Sequence, residues 1–176
     1  MIRSLFIGAL AASLSTGAAL AHITLETSEA RLGTSYKAVF RVSHGCDGSA
    51  TTTLKIRIPA GFIAVKPMPK PGWNIEVVSG KYPKTYSHFH GAKLSEGARE
   101  VSFMGGKLPD DYYDEFVITG FVAGDLDAGR TLYFPVVQEC EKGVARWIDV
   151  PMENRGEPAM PAPGIKLVPA AAGHKH

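Results

Sequence analysis

Apolar and charged side chains alternate along Leu54-Lys55-Ile56-Arg57-Ile58, and this alternation is the clearest sign of the fold. A period of two places the three apolar side chains on one face of an extended strand and the two cations on the other. Proline, alanine and glycine at positions 59–61 then end the run. The pattern predicts a β-strand with one buried face and one solvated face.

Similar short runs recur along the chain, and they are bounded by Gly, Pro, Asp and Asn. No convincing helix and no internal repeat is visible. Many short strands separated by turn residues are typical of a β-sandwich or a β-barrel. The sequence therefore predicts an all-β domain. Besides the opening stretch, the predicted strands are residues 23–27, 36–42, 73–77, 101–103, 115–122, 131–138 and 144–150.

The first 21 residues have the layout of a secretory signal peptide. Arg3 supplies a positive charge, a mostly apolar run follows it, and Ala19-Leu20-Ala21 provides the small-residue pattern of a cleavage site. We therefore expect export to the periplasm. Cleavage after Ala21 would make His22 the first residue of the mature protein.

The rest of the chain is predicted to form one domain over residues 22–150. Residues 151–176 are rich in Pro and Ala, lack periodicity, and are interpreted as an extended or disordered tail. The whole chain has 19 basic and 17 acidic side chains, so no basic face for nucleic acid is indicated. After the leader, no apolar run approaches the roughly 18 residues of a membrane-spanning helix.

Cys46 and Cys140 are the two cysteines of the chain. An even pair in an exported protein favours one disulfide bond. The alternative is a pair of metal-binding thiolates, which the absence of a CxxC spacing disfavours.

His22 is the residue that points to chemistry. An N-terminal histidine offers its free α-amine and its imidazole Nδ1, which together chelate one metal in a six-membered ring. Nitrogen donors of these two kinds suit Cu(II), which prefers tetragonal geometry and has the highest affinity among the divalent first-row metals. The alternative is that histidine stands at this position by chance.

Further donors are needed around such a pair. Glu26, Asp47 and Asp149 are the carboxylate candidates, and Glu26 and Asp47 are taken as the predicted oxygen ligands. The alternative for each is a solvated surface charge, which is the commoner role of a single carboxylate. Strand alternation puts Glu26 on the same sheet face as His22. Trp147 is predicted to pack over the metal, with ordinary core packing as its alternative.

The other histidines give weaker signals. His88 and His90 form an HxH pair whose side chains share one face if the segment is a strand. His44, beside Gly45 and Cys46, is interpreted as a loop residue. Two further histidines, His174 and His176, could bind metal weakly in the tail.

Five segments follow one another along the chain in a recognisable order and spacing. They are Ala21-His22-Ile23-Thr24-Leu25, residues 50–59, Pro71-Gly72-Trp73, Tyr112-Tyr113-Asp114-Glu115-Phe116 and the segment from Val137-Gln138 to Trp147. Together they resemble the YcnI-like domain family, also called DUF1775, and the resemblance covers residues 22–150.

The resemblance implies an immunoglobulin-like β-sandwich exported from bacteria, with genes that often lie beside copper-uptake and copper-chaperone genes. A characterised member of the family binds Cu(II) through a monohistidine brace at its mature N-terminus, with a tryptophan near the metal. On this chain the brace falls on His22 and the tryptophan on Trp147. The Cys46/Cys140 pair resembles a feature of the Gram-negative branch.

We therefore expect a periplasmic Cu(II) metallochaperone or copper-homeostasis factor and not an enzyme. Its partners would be copper ions and other periplasmic copper chaperones or a copper-importing membrane protein, and a homodimer remains open. Two alternatives stand beside this prediction. A second histidine opposite His22 on a flat exposed surface, with His88, His90 and His44 as candidates, would favour a copper oxidase or monooxygenase-like enzyme. An incidental His22 would favour an immunoglobulin-like module that binds protein without metal.

Overall fold

A computed structural model describes residues 22–152, 156 and 158–170 of the chain. The predicted signal peptide at residues 1–21 and the tail histidines, His174 and His176, lie outside the described residues.

The described residues form β-strands joined by turns and one short 3-10 segment at Phe89–Gly91, as the sequence predicted for an all-β domain. The strands are β1 (Thr24–Leu25), β2 (Glu29–Arg31), β3 (Ser35–Val42), β4 (Thr51–Arg57), β5 (Phe62–Pro67), β6 (Asn74–Ser87), β7 (Lys93–Leu108), β8 (Asp114–Val122), β9 (Thr131–Tyr133), β10 (Val136–Cys140), β11 (Val144–Trp147) and β12 (Gly164–Val168).

Two larger sheets and one small sheet build an immunoglobulin-like β-sandwich. One larger sheet has the order β1-β3-β8-β5, and the other has the order β11-β10-β4-β7-β6. Neighbouring strands within these two sheets are antiparallel. The third sheet, β2-β12-β9, contains the parallel pair β2 and β12.

Aromatic side chains fill the space between the sheets. Phe103 of β7 packs edge-to-face on Phe116 of β8, with 5.3 Å between the ring centroids. Phe134 contacts Phe40 and Phe62 in the same geometry, at 5.6 and 5.3 Å. Edge-to-face pairs add to the stability that burial of the rings already provides.

The stretch that indicated the fold lies in the middle of the larger sheet. β4 pairs with β10 on one side and with β7 on the other. Leu54 and Ile56 are fully buried in the core, whereas Arg57 is exposed. The alternation was therefore a correct indicator of the buried face.

The predicted domain boundary at residue 150 is wrong, because β12 continues the sandwich. Gly164–Val168 pairs with β2 and β9, and Ile165 and Leu167 are fully buried. The run alternates like the other strands, but it is short and lies in a segment rich in Pro, Gly and Ala. Composition alone therefore concealed a strand whose stability comes from tertiary pairing.

The strand predictions also differ from the structure in length and continuity. The predicted strand at 131–138 is two strands, β9 and β10, separated by Phe134 and Pro135. A proline lacks the N–H that continues a ladder, so a break there is expected. β2 and β5 were not predicted, and β6 and β7 are longer than expected.

Cys46 and Cys140 form a disulfide, as predicted. The bond joins the loop after β3 to the end of β10 and so links positions that are 94 residues apart in sequence. Among the described residues, no helix has both the length and the hydropathy that crossing a membrane requires.

Replacing the buried Leu167 by alanine tests whether β12 belongs to the folded domain. Because the side chain is fully buried, we expect Leu167→Ala to lower the free energy of unfolding by about 3 kcal/mol. Lys166→Ala, on the exposed face of the same strand, should change it by less than about 0.5 kcal/mol. Denaturant unfolding of both variants measures this difference, and equal, small effects would show that residues 164–168 add nothing to the fold.

Candidate functional site

His22 lies at the edge of the four-stranded sheet, and Ile23 separates it from the first residue of β1. β1 pairs with β3 through Thr24↔Arg41 and Leu25↔Phe40, and Ile23 is buried beneath the sheet. These contacts fix the backbone of His22, which is half-buried itself. The imidazole of His22 contacts the indole of Trp147 edge-on, with ring centroids 5.7 Å apart.

Trp147 is a buried residue at the end of β11, with 2% of its surface exposed. In the ladder it is opposite Val136 of β10. The indole Nε1–H donates a hydrogen bond to Oε1 of Gln138 over 3.0 Å. A buried indole needs such a partner, and this one fixes the plane of the ring.

A second imidazole contacts the same indole. The ring of His44 is 6.0 Å from that of Trp147, with an interplanar angle of 78°. His44 was interpreted from sequence as a loop residue, and it does lie in the loop after β3. The structure nevertheless brings it to the same tryptophan as His22.

Gln138 connects these parts of the site. Its side chain is fully buried, and it accepts the hydrogen bond from Trp147. Its Nε2 donates to the main-chain oxygen of His44 over 2.7 Å and to Oγ1 of Thr51 over 2.8 Å. One amide therefore sets the positions of both the indole and the His44 backbone.

Sequence reasoning missed the role of Gln138, although a signal was present. Val136 and Gln138 lie two residues apart on the inward face of β10, and both are fully buried. A polar side chain at a core position must find hydrogen-bond partners, because leaving them unmade costs free energy. Such a residue is a reasonable candidate for positioning a site.

The loop that carries His44 is held at several points. The Gly45 N–H donates to Oδ1 of Asp110 over 2.7 Å, and Cys46 and Ser49 exchange two main-chain hydrogen bonds. A Cβ atom at Gly45 would lie 1.7 Å from the Ser49 carbonyl oxygen, so only glycine fits there. The disulfide from Cys46 to Cys140 adds a covalent link.

The predicted carboxylates have surroundings of their own in the structure. Glu26 comes directly after β1, four residues beyond His22, which is about 13 Å in an extended chain. Its carboxylate pairs with Arg41 at 3.6 Å. Burial, together with the charge of Glu26, raises the pKa of the Tyr36 hydroxyl to about 12. Glu26 thus interacts with Arg41 and Tyr36. Its role as a copper ligand stays a prediction.

The other two carboxylates also have different surroundings. Asp47 is exposed in the turn of the His44 loop and has a positive φ of 49°. Oδ2 of Asp149 accepts a hydrogen bond from the Met160 N–H over 3.3 Å. Among the described residues, no three His, Cys, Asp or Glu side chains form a group that could hold a metal ion.

The HxH pair lies elsewhere and is not part of a strand. His88 precedes the 3-10 turn and packs on Phe121 with ring centroids 4.9 Å apart. His90 has a positive φ of 54°, so the two side chains do not follow strand alternation. The condition under which they would share a face is therefore not met.

An open groove of about 430 Å³ gives access to His22 from solvent. His22 and Thr24 line one side, and Pro161 and Gly164 line the other. The described side chains therefore offer two imidazoles on one buried indole, beside an open groove. If cleavage follows Ala21, an α-amine would be added at the same place.

The comparison with known families agrees with a folded domain that runs from His22 into β12. A family model described as "Domain of unknown function (DUF1775)" matches residues 22–167. The chain belongs to the DUF1775 family. The match starts at His22 and ends within β12, so the DUF1775 domain includes the strand that the sequence had assigned to the tail.

Two solved structures are similar to this DUF1775 chain. An uncharacterized protein from Nocardia farcinica, described as having an immunoglobulin-like fold, has 25% sequence identity and a TM-score of 0.60; the match covers 84% of this chain and 98% of that chain. The seventh ScaB type I cohesin from Pseudobacteroides cellulosolvens has 11% identity and a TM-score of 0.40, with 88% and 97% covered. A search of curated proteins gave no significant match.

Replacing Gln138 by leucine tests whether its amide holds the site together. Leucine has a side chain of similar size but no amide. It therefore leaves the Trp147 N–H, the His44 carbonyl and the Thr51 hydroxyl without this hydrogen-bond partner. We expect Gln138→Leu to lower the free energy of unfolding by about 3 kcal/mol. Tryptophan fluorescence should shift because the indole loses its hydrogen bond.

Glu139→Gln is the matched control on the next residue. Glu139 forms a partly exposed ion pair with Lys55, so its replacement should cost less than about 1 kcal/mol. Both variants are compared by denaturant unfolding. If Gln138→Leu were as stable as the parent protein, the amide network could not be what positions Trp147 and His44.

Proposed function

We propose that this protein is exported, loses residues 1–21, and binds Cu(II) through His22 as a carrier or homeostasis factor for copper. The observation that supports the proposal is the contact between the His22 imidazole and the buried indole of Trp147. The histidine at the expected mature N-terminus is thus held by a folded strand against an aromatic wall.

The chemistry of the brace follows from the position of His22. Once Ala21 is removed, the α-amine and Nδ1 of His22 belong to one residue and can close a six-membered chelate ring. Amine and imidazole nitrogens suit Cu(II). Because β1 is paired with β3, the chelate has less conformational freedom to lose on binding than a free N-terminal peptide.

Trp147 has a protective role in this proposal. Its ring is buried and fixed by Gln138, so it closes one side of the His22 imidazole to water. The open groove lined by Thr24 and Pro161 leaves another side accessible. A ligand from another copper chaperone or from a copper-importing membrane protein can attack there before His22 is released.

A copper oxidase is the second candidate function, and the position of His44 favours it. Enzymes with an N-terminal copper brace use a second histidine, and His44 contacts the same indole as His22. Consumption of oxygen or peroxide by the copper-loaded protein, in the presence of ascorbate, separates the two candidates. Turnover would favour the oxidase, whereas binding and transfer without turnover would favour the carrier.

Cu(II) titration of the mature chain tests the brace. The Trp73→Phe background leaves Trp147 as the single tryptophan, so its fluorescence reports on the site. We expect the chain that starts at His22 to bind Cu(II), to quench Trp147, and to give a nitrogen-rich tetragonal electron paramagnetic resonance (EPR) spectrum. Adding one residue before His22 displaces the α-amine and should weaken binding at least about tenfold, or 1.4 kcal/mol.

The extended chain is the matched control, because it keeps every side chain of the site. Equal affinity in the two chains would exclude the brace and direct attention to His88 and His90. No binding by either chain would overturn the copper proposal and favour a protein-binding module of immunoglobulin type.

A further inference from the structure

We propose that His44 is a second imidazole ligand, which shares the metal with His22. The inference rests on the proposed function and adds to it: the donors become the α-amine and Nδ1 of His22 together with Nε2 of His44. It departs from a site with a single histidine and a carboxylate.

Position is the first argument. His22 and His44 both contact Trp147 edge-on, at 5.7 and 6.0 Å between ring centroids. The register of β1 with β3 pairs Thr24 with Arg41, so its continuation brings His22 beside Ser43, the neighbour of His44. Both the shared indole and the strand register therefore place the two histidines at the same corner of the sandwich.

The tautomer of His44 is the second argument. Nδ1 of His44 lies 2.6 Å from the carbonyl oxygen of Gly45. A carbonyl can only accept, so Nδ1 carries the proton and the lone pair of the neutral ring is on Nε2. Metal-binding histidines commonly donate their other ring N–H to a backbone carbonyl, which orients the ring and raises the basicity of the ligating nitrogen.

Rigidity is the third argument. The carbonyl oxygen of His44 accepts from Gln138, the next N–H donates to Asp110, and Cys46 is tied to Cys140. These bonds hold the loop on both sides of the histidine before any metal binds. A preorganised ligand loses less conformational entropy on binding, so a third nitrogen donor at this position adds affinity.

Replacement of His44 in the mature chain tests the inference. His44→Ala should weaken Cu(II) binding at least about tenfold, and His44→Gln should do the same while keeping a polar side chain of similar length. Both should remove one nitrogen coupling from the EPR spectrum. Near-UV circular dichroism checks that both variants are folded. The hydrogen bond from Gln138 goes to the main-chain oxygen of residue 44, so either substitution keeps it.

His88→Ala is the matched control, because His88 packs on Phe121 and contacts neither His22 nor Trp147 through its ring in the described structure. It should leave the affinity and the spectrum unchanged. Pulsed EPR of the unsubstituted protein provides an independent count, since it detects the remote nitrogen of each bound imidazole. Two such imidazoles are expected.

The outcomes separate the two proposals. If the mature chain binds Cu(II) more tightly than the extended chain but shows one imidazole, and His44→Ala has the parent affinity, then the His44 proposal is wrong and the brace stands. If the mature and extended chains bind equally, then the brace itself is wrong. Two imidazoles that are reduced to one by His44→Gln would support the complete site.

Discussion

The fully buried amide of Gln138 is the interaction on which the site depends. It accepts from Trp147, and it donates to the His44 backbone and to Thr51. A buried polar group of this kind contributes less to net stability than to the selection of one native conformation. Any displacement of its partners leaves a buried donor or acceptor without a hydrogen bond. The amide therefore specifies one arrangement of indole and loop among the several that an apolar residue would permit.

The site also depends on how the two larger sheets meet. His22 lies just before the edge strand β1 of one sheet, and Trp147 ends the edge strand β11 of the other. Neither strand makes the contact by itself, so the site forms only when the sandwich closes. β12 supports this corner, since the groove beside His22 is lined by Pro161 and Gly164, which precede and begin that strand.

Sequence reasoning predicted what depends on local pattern. Alternation identified β4 and its buried face, and an even pair of cysteines, together with the predicted signal peptide, indicated the disulfide. It failed where pairing between distant segments decides, because β12 was hidden in a Pro- and Ala-rich segment. His44 could not be found from spacing, because a loop has no period and only the register of β1 with β3 brings it close.

In the proposed function, the same register also has a chemical consequence. Before cleavage, the nitrogen of residue 22 is a peptide nitrogen whose lone pair is delocalised into the carbonyl group, so it is a poor metal ligand while it keeps its proton. Removal of the leader changes that single atom into an amine, while β1, Trp147 and the His44 loop hold the other donors in place. The folded corner of the sandwich and the cut after Ala21 are then two independent requirements for one site. A chain that is folded but uncut would lack the chelate, and a chain that is cut but unfolded would lack the aromatic wall and the second imidazole.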